Sequence, residues 1–352
     1  MDKNSHGPAD SLARDRMRMK VGLIANPASG KDIRRIVAHG SVFDNQEKVR
    51  MVRRILTGLR EAGVDEVLFM PDSYAIVERA LLDLPADRRP SSIEPLVYWQ
   101  HNTQEDTVRA AELLEEAGAA VMIVLGGDGT ARAACRGSRN LPILALSTGT
   151  NNVFPVMTEA TVAGLAAGIL ASGALSMDEG CYEADILEIL VNDEVRDLAL
   201  VDVAVAREAF VGSRAVWDME RISALFLARC KADSIGLSAI GGQIVHCAPA
   251  SGTGLALNLQ GQAQRTVRAA IAPGLFVSAG IVSHSIMHKG ETFAVEQSGV
   301  LALDGERDLV LHKKDTACVR LALRGVQVVD VPKTLEAART KGLFARPIGQ
   351  AL

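Results

Sequence analysis

The chain has 352 residues and a formal net charge of −4, from 38 Lys and Arg against 42 Asp and Glu. At about 150 residues per domain, this length predicts two domains. Hydrophobic residues make up 48% of the chain and charged residues 23%, a composition that excludes a largely disordered protein. The charge balance also excludes a global basic field for nucleic acid or anionic membranes, so an anionic ligand must be held by local groups.

The cysteines and the first residues indicate the compartment. The 5 cysteines are odd in number and contain no CxxC pair, which argues against a disulfide framework and a zinc knuckle. Residues 1–18 lack an apolar signal core, and no segment has about 18 uninterrupted apolar residues. We therefore expect a soluble, cytoplasmic protein without nucleic-acid or membrane partners, with residues 1–18 as a disordered tail.

From Met19 onward, short apolar runs alternate with helical patterns, which is typical of a parallel sheet covered by helices. The predicted elements of this first part, in chain order, are strand Lys20–Ala25, helix Asn45–Ala62, strands Val67–Met70 and Leu96–Trp99, helix Thr103–Ala117, strands Ala120–Leu125 and Leu141–Leu146, and helix Val162–Leu170. A capping box formed by Thr103 and Asp106 is expected to begin the second of these helices.

After Gly173 the pattern changes to strand-like alternation with turn signals. Predicted strands are Ile186–Val191, Leu198–Ala206, Leu255–Leu259, Val267–Ile271, Val300–Leu303, Leu309–Leu311, Val319–Leu323 and Val326–Val331, and Trp217–Ala232 has a helical pattern. We predict an α/β domain over 19–180 with an open parallel sheet, a β-rich domain over 181–335, and a C-terminal segment over 336–352 that returns toward the first domain.

Three loops that follow predicted strands of the first domain contain glycines, hydroxyls and amides. They read NPASGKD at 26–32, GGDGT at 126–130 and STGTNN at 147–152. Glycines allow backbone N–H groups to approach an anion, and a following helix directs its N-terminal partial positive charge at the same place. Because ligands bind at the carboxyl ends of parallel strands, these loops predict a phosphate site. The first and third loops are also compatible with ordinary turns, since the Walker spacing is absent.

Asp128 lies in the middle of the GGDGT loop. A carboxylate beside bound phosphates is repelled unless a cation or an acceptor hydroxyl intervenes. Asp128 is therefore a candidate to coordinate magnesium, directly or through water, or to accept the proton of a hydroxyl that is being phosphorylated. Lys31 is a candidate to neutralise the transferred group.

These motifs resemble the superfamily of NAD kinases and diacylglycerol or sphingosine-type lipid kinases. The stretches NPASGKDIRRIVAHGSVFDNQEKV, VLGGDGTARAAC and LSTGTNNVFP are most similar to its branch named for acetoin catabolism protein X (AcoX), which is described as ATP-NAD kinases. The resemblance spans about residues 19–343. It implies the two-domain fold of these kinases, with a nucleotide-binding α/β domain, a β-rich substrate domain and ATP- and magnesium-dependent phosphorylation in the cleft between them.

The resemblance also implies roles for individual residues. Asp128 corresponds to the acid that NAD kinases place near the accepting ribose hydroxyl. The resemblance assigns Gly126, Gly127, Gly129 and Thr130 to the phosphate loop, and Asn26, Ser29, Gly30, Thr150 and Asn151 to an ATP site. The other candidates for nucleotide and phosphate binding come from the same loops and are Lys31, Thr148, Gly149 and Asn152. Candidates from the second domain are Ser251, Thr253, Asp304 and Glu306. Asp304-Gly305 is also a strong hairpin signal, and both interpretations stay open.

The chain departs from NAD kinases at the residues that recognise NAD. It has Asn151-Asn152 where those enzymes have Asn-Glu or Asn-Asp, and residues 249–254 only loosely resemble their Gly-Ser-Thr-Ala-Tyr stretch. The leading hypothesis is a kinase for a hydroxyl of a soluble nucleotide, with NAD as the first candidate acceptor. The alternatives are a lipid or small-polyol kinase and a non-catalytic nucleotide-binding regulator linked to acetoin catabolism. NAD kinases are usually oligomers, so a homo-oligomer of at least a dimer is implied.

Overall fold

The computed structural model describes residues 19–29, 43–206, 219–259, 262–296 and 299–345, without the side chains of 306–308. The predicted tail over 1–18, the candidates Gly30 and Lys31, and the side chain of Glu306 lie outside this description. The described residues form an N-terminal sheet of parallel strands and a β-rich second part, which confirms the predicted fold class.

The N-terminal sheet has seven strands in the described part of the chain. They are β1 (Lys20–Ala25), β2 (Glu66–Phe69), β3 (Ser92–Pro95), β4 (Val121–Gly126), β5 (Ile143–Ser147), β6 (Cys181–Ala184) and β19 (Val326–Val329). Their order is β3-β2-β1-β4-β5-β19-β6, and all neighbours are parallel except β19 and β6. The ends of the second part, 181–184 and 326–329, thus pair within the first sheet.

The helices of the described residues mostly cover the first sheet. They are α1 (Asn45–Glu61), α2 (Ile76–Leu82), α3 (Gln104–Glu116), α4 (Asp128–Gly137), α5 (Ala160–Ala171), α6 (Met177–Gly180), α7 (Ser238–Gly242) and α8 (Val331–Thr340), with 3-10 turns at Ala86–Arg88 and Met219–Arg221. The expected capping box of Thr103 and Asp106 begins α3.

The apolar core of the first part lies on both faces of its sheet. On one face, α1, α5 and α8 pack over residues such as Val21 and Leu23, and the buried Val331 and Ala338 bring the C-terminal helix into the same cluster. Helices α1 and α5 approach so closely that a Cβ at Gly58 would lie 2.2 Å from the carbonyl oxygen of Thr161. The small residues of α5 therefore serve close helix packing.

The second part consists of antiparallel strands. They are β7 (Leu187–Val191), β8 (Glu194–Ala199), β9 (Asp202–Ala206), β10 (Ile222–Leu227), β11 (Thr253–Asn258), β12 (Arg265–Ala272), β13 (Leu275–Ile281), β14 (Ser283–His288), β15 (Thr292–Val295), β16 (Gly299–Leu303), β17 (Glu306–Leu311) and β18 (Ala317–Leu321). Among the described residues they form a sheet β14-β11-β10-β9-β16-β17, a sheet β15-β18-β7-β8 and the hairpin β12-β13. Apolar side chains of the two larger sheets share one core.

Three predicted elements are wrong. The predicted strand Leu198–Ala206 is divided between β8 and β9, which lie in different sheets. The helical pattern over Trp217–Ala232 contains strand β10 instead, whose central position in its sheet buries side chains in both neighbouring clusters, so that the alternation typical of a half-exposed strand is lost. The predicted strand Leu96–Trp99 follows the actual strand β3, and its Val97 and Trp99 are 92% and 84% exposed. This short apolar run therefore lies beyond the end of the strand, with two of its side chains exposed.

Candidate active site

The structure brings the three glycine-containing loops together at one edge of the first sheet. The side-chain amide of Asn26 donates to the hydroxyl of Thr130 at 2.9 Å. The hydroxyls of Ser29 and Thr148 lie 3.0 Å apart, which joins the first loop to the third. The backbone N–H of Thr148 donates to the carbonyl of Gly126 at 3.1 Å, which joins the third loop to the second. Hydrogen bonds therefore connect all three loops into one continuous surface.

Lys48 of helix α1 holds the first loop through hydrogen bonds that were not predicted from the sequence. This residue of α1 is fully buried, and its ammonium group donates to the carbonyl oxygens of Asn26 at 2.8 Å and Ser29 at 2.6 Å, and to the side chain of Asn45 at 3.1 Å. The signal was its position four residues before Val52, on the apolar face of the helix. A lysine buried there needs oxygen acceptors, and the loop provides them.

The GGDGT loop turns directly from strand β4 into helix α4, with Gly127 as the N-cap residue. A Cβ at Gly126 would lie 2.5 Å from the Cβ of Thr130, and one at Gly127 would lie 2.8 Å from the side-chain oxygen of Asn152. The loop thus requires glycine for its packing against its neighbours. The first N–H groups of α4 lie at this turn, where a helix favours negative charge.

The carboxylate of Asp128 is held by the chain that follows β5. Its oxygens accept the backbone N–H of Val153 at 3.1 Å and that of Phe154 at 2.7 Å. The residue is half-buried in the first turn of α4. Hydrogen bonds from backbone amides favour the ionised form of a carboxylate. Asp128 is therefore fixed in orientation at the meeting point of the second and third loops.

The third loop is built on its own polar groups. The hydroxyl of Ser147 donates to the carbonyl of Gly149 at 2.6 Å and accepts from the side-chain amide of Asn152 at 2.7 Å. Thr150 is exposed at the loop's tip. The side-chain oxygen of Asn151 is buried and has no hydrogen-bond partner among the described residues. An unpaired buried acceptor is costly, so a donor from a ligand would stabilise this loop.

Asp304 of the second part is buried rather than open to a cleft. Its carboxylate accepts the backbone N–H groups of Leu200, Val201 and Asp202 at 2.8 to 3.2 Å. Burial raises its pKa to about 6, although Arg132 opposes the increase. Asp304 and Gly305 both have positive φ, at 50° and 79°, and connect β16 to β17. This confirms the predicted hairpin.

Ser251 lies in an exposed turn before β11, and Thr253 is the first residue of that strand. Their hydroxyls are 2.8 Å apart. The turn is attached to the start of the second part because the N–H of Gly252 donates to the carboxylate of Asp185 at 2.8 Å. No described contact joins these two hydroxyls to the three loops of the first part, so the geometry groups them separately from Asp128.

The residues at the loops fit a nucleotide and a magnesium ion that arrives with it. The glycines allow the backbone of the second loop to pack closely as it turns into helix α4, and the buried side-chain oxygen of Asn151 has no hydrogen-bond partner among the described residues. Within the described ranges, no three His, Cys, Asp or Glu side chains form a group that could hold a metal ion. Proteins commonly hold magnesium through one or two carboxylates together with substrate phosphates and water. Asp128 is the carboxylate in position for this.

Comparison with known proteins agrees with this arrangement. Residues 21–174 match the family model of the ATP-NAD kinase N-terminal domain, and residues 185–324 match that of the acetoin catabolism protein X C-terminal domain. The chain is 36% identical over 329 residues to acetoin catabolism protein X of Cupriavidus necator. The alignment covers 90% of this chain and 92% of that relative. The chain belongs to the acetoin catabolism protein X family. The match of residues 21–174 to the ATP-NAD kinase domain supports the interpretation of this protein as a nucleotide-dependent phosphotransferase.

The solved structure of yeast NADH kinase shows that this family member shares a known two-domain fold. Yeast NADH kinase, in complex with NADH, superposes with a TM-score of 0.52 at 13% identity and covers 95% of this chain and 90% of its own. A putative diacylglycerol kinase from Bacillus anthracis has a TM-score of 0.48 at 14% identity, over 88% of this chain and 97% of its own. None of the helices in the described part of the chain combines the length and apolar character needed to cross a bilayer.

Proposed function

We propose that this protein is an ATP- and magnesium-dependent kinase that phosphorylates a hydroxyl of a soluble nucleotide, with NAD as the first acceptor to test. The observation that carries the proposal is the meeting of three glycine-containing loops around the single carboxylate of Asp128. The match to the ATP-NAD kinase N-terminal domain supports the same chemistry.

In this proposal the loops bind and orient the phosphates of ATP. Backbone N–H groups at Gly127 and in the first turn of α4 stabilise negative charge without a side chain in the way. Magnesium, when bound, neutralises charge on the phosphate oxygens. The fixed carboxylate of Asp128 orients the acceptor hydroxyl and takes its proton as the oxygen attacks the terminal phosphorus of ATP. ADP leaves, and the acceptor gains a phosphate monoester.

The proposal is tested by incubating the protein with ATP, magnesium and a panel of acceptors. The panel contains NAD, NADH, diacylglycerol and small polyols, and mass spectrometry detects an added phosphoryl group. We expect the nucleotides to be phosphorylated and the lipid and polyols to remain unchanged. Phosphorylation of diacylglycerol alone would replace the proposal by the lipid-kinase hypothesis. Tight ATP binding without any phosphorylated product would favour a regulator.

The remaining properties that the kinase resemblance implies are proposed with it. The protein is cytoplasmic, and its functional state is a homo-oligomer of at least two chains. Light scattering coupled to size-exclusion chromatography tests the second statement, since a mass near 37.4 kDa would identify a monomer and contradict it. Omitting magnesium from the panel assay tests the metal requirement, and we expect product formation to stop.

A further inference from the structure

Arg229 belongs to the β-rich second part of the chain, and its guanidinium lies in the electrostatic field of Asp128 in the first part. It follows strand β10 by two residues, and its side chain packs over the ring of Phe154, with Cζ 4.8 Å from the ring centroid. The backbone N–H of Phe154 is the group that donates to Asp128 at 2.7 Å. Phe154 therefore contacts both residues, the guanidinium of Arg229 through its ring and the carboxylate of Asp128 through its backbone N–H.

The guanidinium group of Arg229 is buried without its full set of hydrogen bonds. The residue is 5% exposed, and its Nε and Nη2 atoms have no hydrogen-bond partner among the described residues. These two nitrogens lie on the same edge of the guanidinium plane, so their N–H bonds are parallel. This is the edge that binds two oxygens of a carboxylate or phosphate at once. Burying such donors unpaired costs free energy, and an anion would remove that cost.

The surrounding charges compensate Arg229 without occupying this edge. Burial lowers the pKa of its guanidinium from the usual value, and nearby acidic groups oppose that change; these are Tyr182, Asp128, Asp304 and Asp185. The carboxylate of Asp304 is instead bonded to backbone amides. In Asp185, Oδ2 accepts the N–H of Gly252, whereas Oδ1 lies 3.4 Å from the ammonium of Lys289 and has no hydrogen-bond partner among the described residues. The three carboxylates favour the charged form of the arginine, while the Nε and Nη2 edge still lacks an oxygen acceptor among the described residues.

We propose that the Nε and Nη2 edge of Arg229 binds an oxyanion of the acceptor substrate while Asp128 engages the acceptor's hydroxyl. This inference rests on the proposed kinase function and narrows its acceptor class. Because both residues contact Phe154, the acceptor that this pair favours has a hydroxyl near a phosphate, as in a nucleotide. Diacylglycerol and small polyols have no oxyanion for this edge. Both nitrogens are covered in this structure, so binding requires a small displacement of the covering groups.

The first test measures anion binding and needs no turnover. Inorganic phosphate is added to protein saturated with magnesium and a non-hydrolysable ATP analogue, which occupies the three loops, and melting is compared with potassium chloride at equal ionic strength. Phosphate at about ten times its Kd should raise the Tm of the wild type by roughly 2–4 °C. Arg229→Met should remove this increase, and Arg229→Lys should at least halve it, because a lysine lacks the parallel pair of donors.

Arg268→Lys is the matched control. Arg268 also packs over a phenylalanine, with Cζ 5.8 Å from the ring centroid of Phe276, but it lies on the hairpin β12-β13. This variant should keep the phosphate response of the wild type. An equal response in Arg229→Met and the wild type, or none in the wild type, would overturn the proposal. Arg229→Lys keeps the buried charge, so it decides the question if Arg229→Met does not fold.

A second measurement separates substrate binding from a purely structural role. With the acceptor found in the panel, Arg229→Lys should raise KM at least tenfold and change kcat by less than threefold, with the affinity for the ATP analogue unchanged. A fall in kcat at constant KM would contradict acceptor binding. If the wild type phosphorylates nothing, the proposed function fails, whereas the phosphate experiment still decides whether Arg229 is an anion site.

Discussion

Two Asp-Gly pairs, one in each part of the molecule, hold the chain in the same way but in different surroundings. Asp128 accepts backbone N–H groups from Val153 and Phe154, and Asp304 accepts them from residues 200–202. Asp128 is half-buried beside the glycine loops, whereas the side chain of Asp304 is fully buried, with a guanidinium nitrogen of Arg132 at 3.9 Å.

The comparison shows that backbone bonds alone do not distinguish a reactive carboxylate from a structural one. A carboxylate that accepts several amides is well positioned in either case. The difference lies in the exposure of the carboxylate itself, because that of Asp128 is half-buried at the edge of the first sheet and that of Asp304 is fully buried. We therefore assign the candidate chemistry to Asp128 and a structural role to Asp304.

The largest effect is expected from Asp128→Asn. This change keeps the size of the side chain but removes the charge and the ability to accept a proton, so kcat should fall by about 10²- to 10⁴-fold. Binding of the ATP analogue should persist, and the protein should still unfold cooperatively. Asp87→Asn, at an exposed acid of a 3-10 turn, is the control and should be fully active. Normal turnover in Asp128→Asn would show that Asp128 is not the reactive carboxylate.

Asp304→Ala should have the larger effect on stability. It leaves three buried backbone N–H groups without their acceptor and removes a carboxylate next to the buried Arg132, so we expect a loss of about 3–5 kcal/mol in the free energy of unfolding. Asp128→Ala should cost about 1–2 kcal/mol, since water can reach the freed groups at the half-buried site. Urea denaturation measures both, and equal losses would contradict the assigned roles.

The pH dependence of stability should also distinguish Asp304. Its pKa in the folded protein is raised to about 6 from 3.8. The folded state therefore binds this proton more tightly than the unfolded chain, which adds stability that is complete below about pH 4 and is lost as the pH rises through about 6. A difference of about 2 between the two pKa values corresponds to roughly 3 kcal/mol.

Asp304→Asn removes this titration. The free energy of unfolding of the wild type, relative to that of the variant, should decrease between pH 4 and pH 6.5 and be constant above pH 7. Urea denaturation at a series of pH values gives both curves. Parallel curves over the whole range would mean that the pKa of Asp304 is the same in the folded protein as in the unfolded chain, which would contradict the raised pKa.

The elements that the sequence predicted well are those whose pattern is local. The three loops could be placed at one edge because the strands before them are continuous apolar runs of a parallel sheet. The Asp304-Gly305 hairpin was readable because the turn requires positive φ at both residues. Local turn chemistry and strand ends therefore located the main candidate residues.

The supporting residues were missed because their partners lie far away in the chain. Lys48 bonds to residues 26 and 29 from a helix, and Arg229 packs on Phe154 from another sheet. Arg229 was further hidden because the apolar residues of β10, which are buried on both faces, resemble a helical pattern. Long-range packing of this kind leaves no periodic signal in one sequence.

Lys48→Met tests how much the region around Asp128 depends on the buried lysine that holds the first loop. The change removes the ammonium group that holds the carbonyl oxygens of Asn26 and Ser29, so the first loop should lose its fixed position relative to Asp128. We expect about tenfold weaker binding of the ATP analogue, measured by calorimetry. A destabilisation of about 1–3 kcal/mol should accompany it because both carbonyls lose a charged donor, although that of Asn26 still accepts the N–H and the hydroxyl of Ser29. Arg50→Met, on the exposed face of the same helix, is the control and should bind normally. Unchanged nucleotide binding in a destabilised Lys48 variant would show that the first loop holds its shape without the lysine, and that Asn26 and Ser29 are positioned by Thr130 and Thr148 alone.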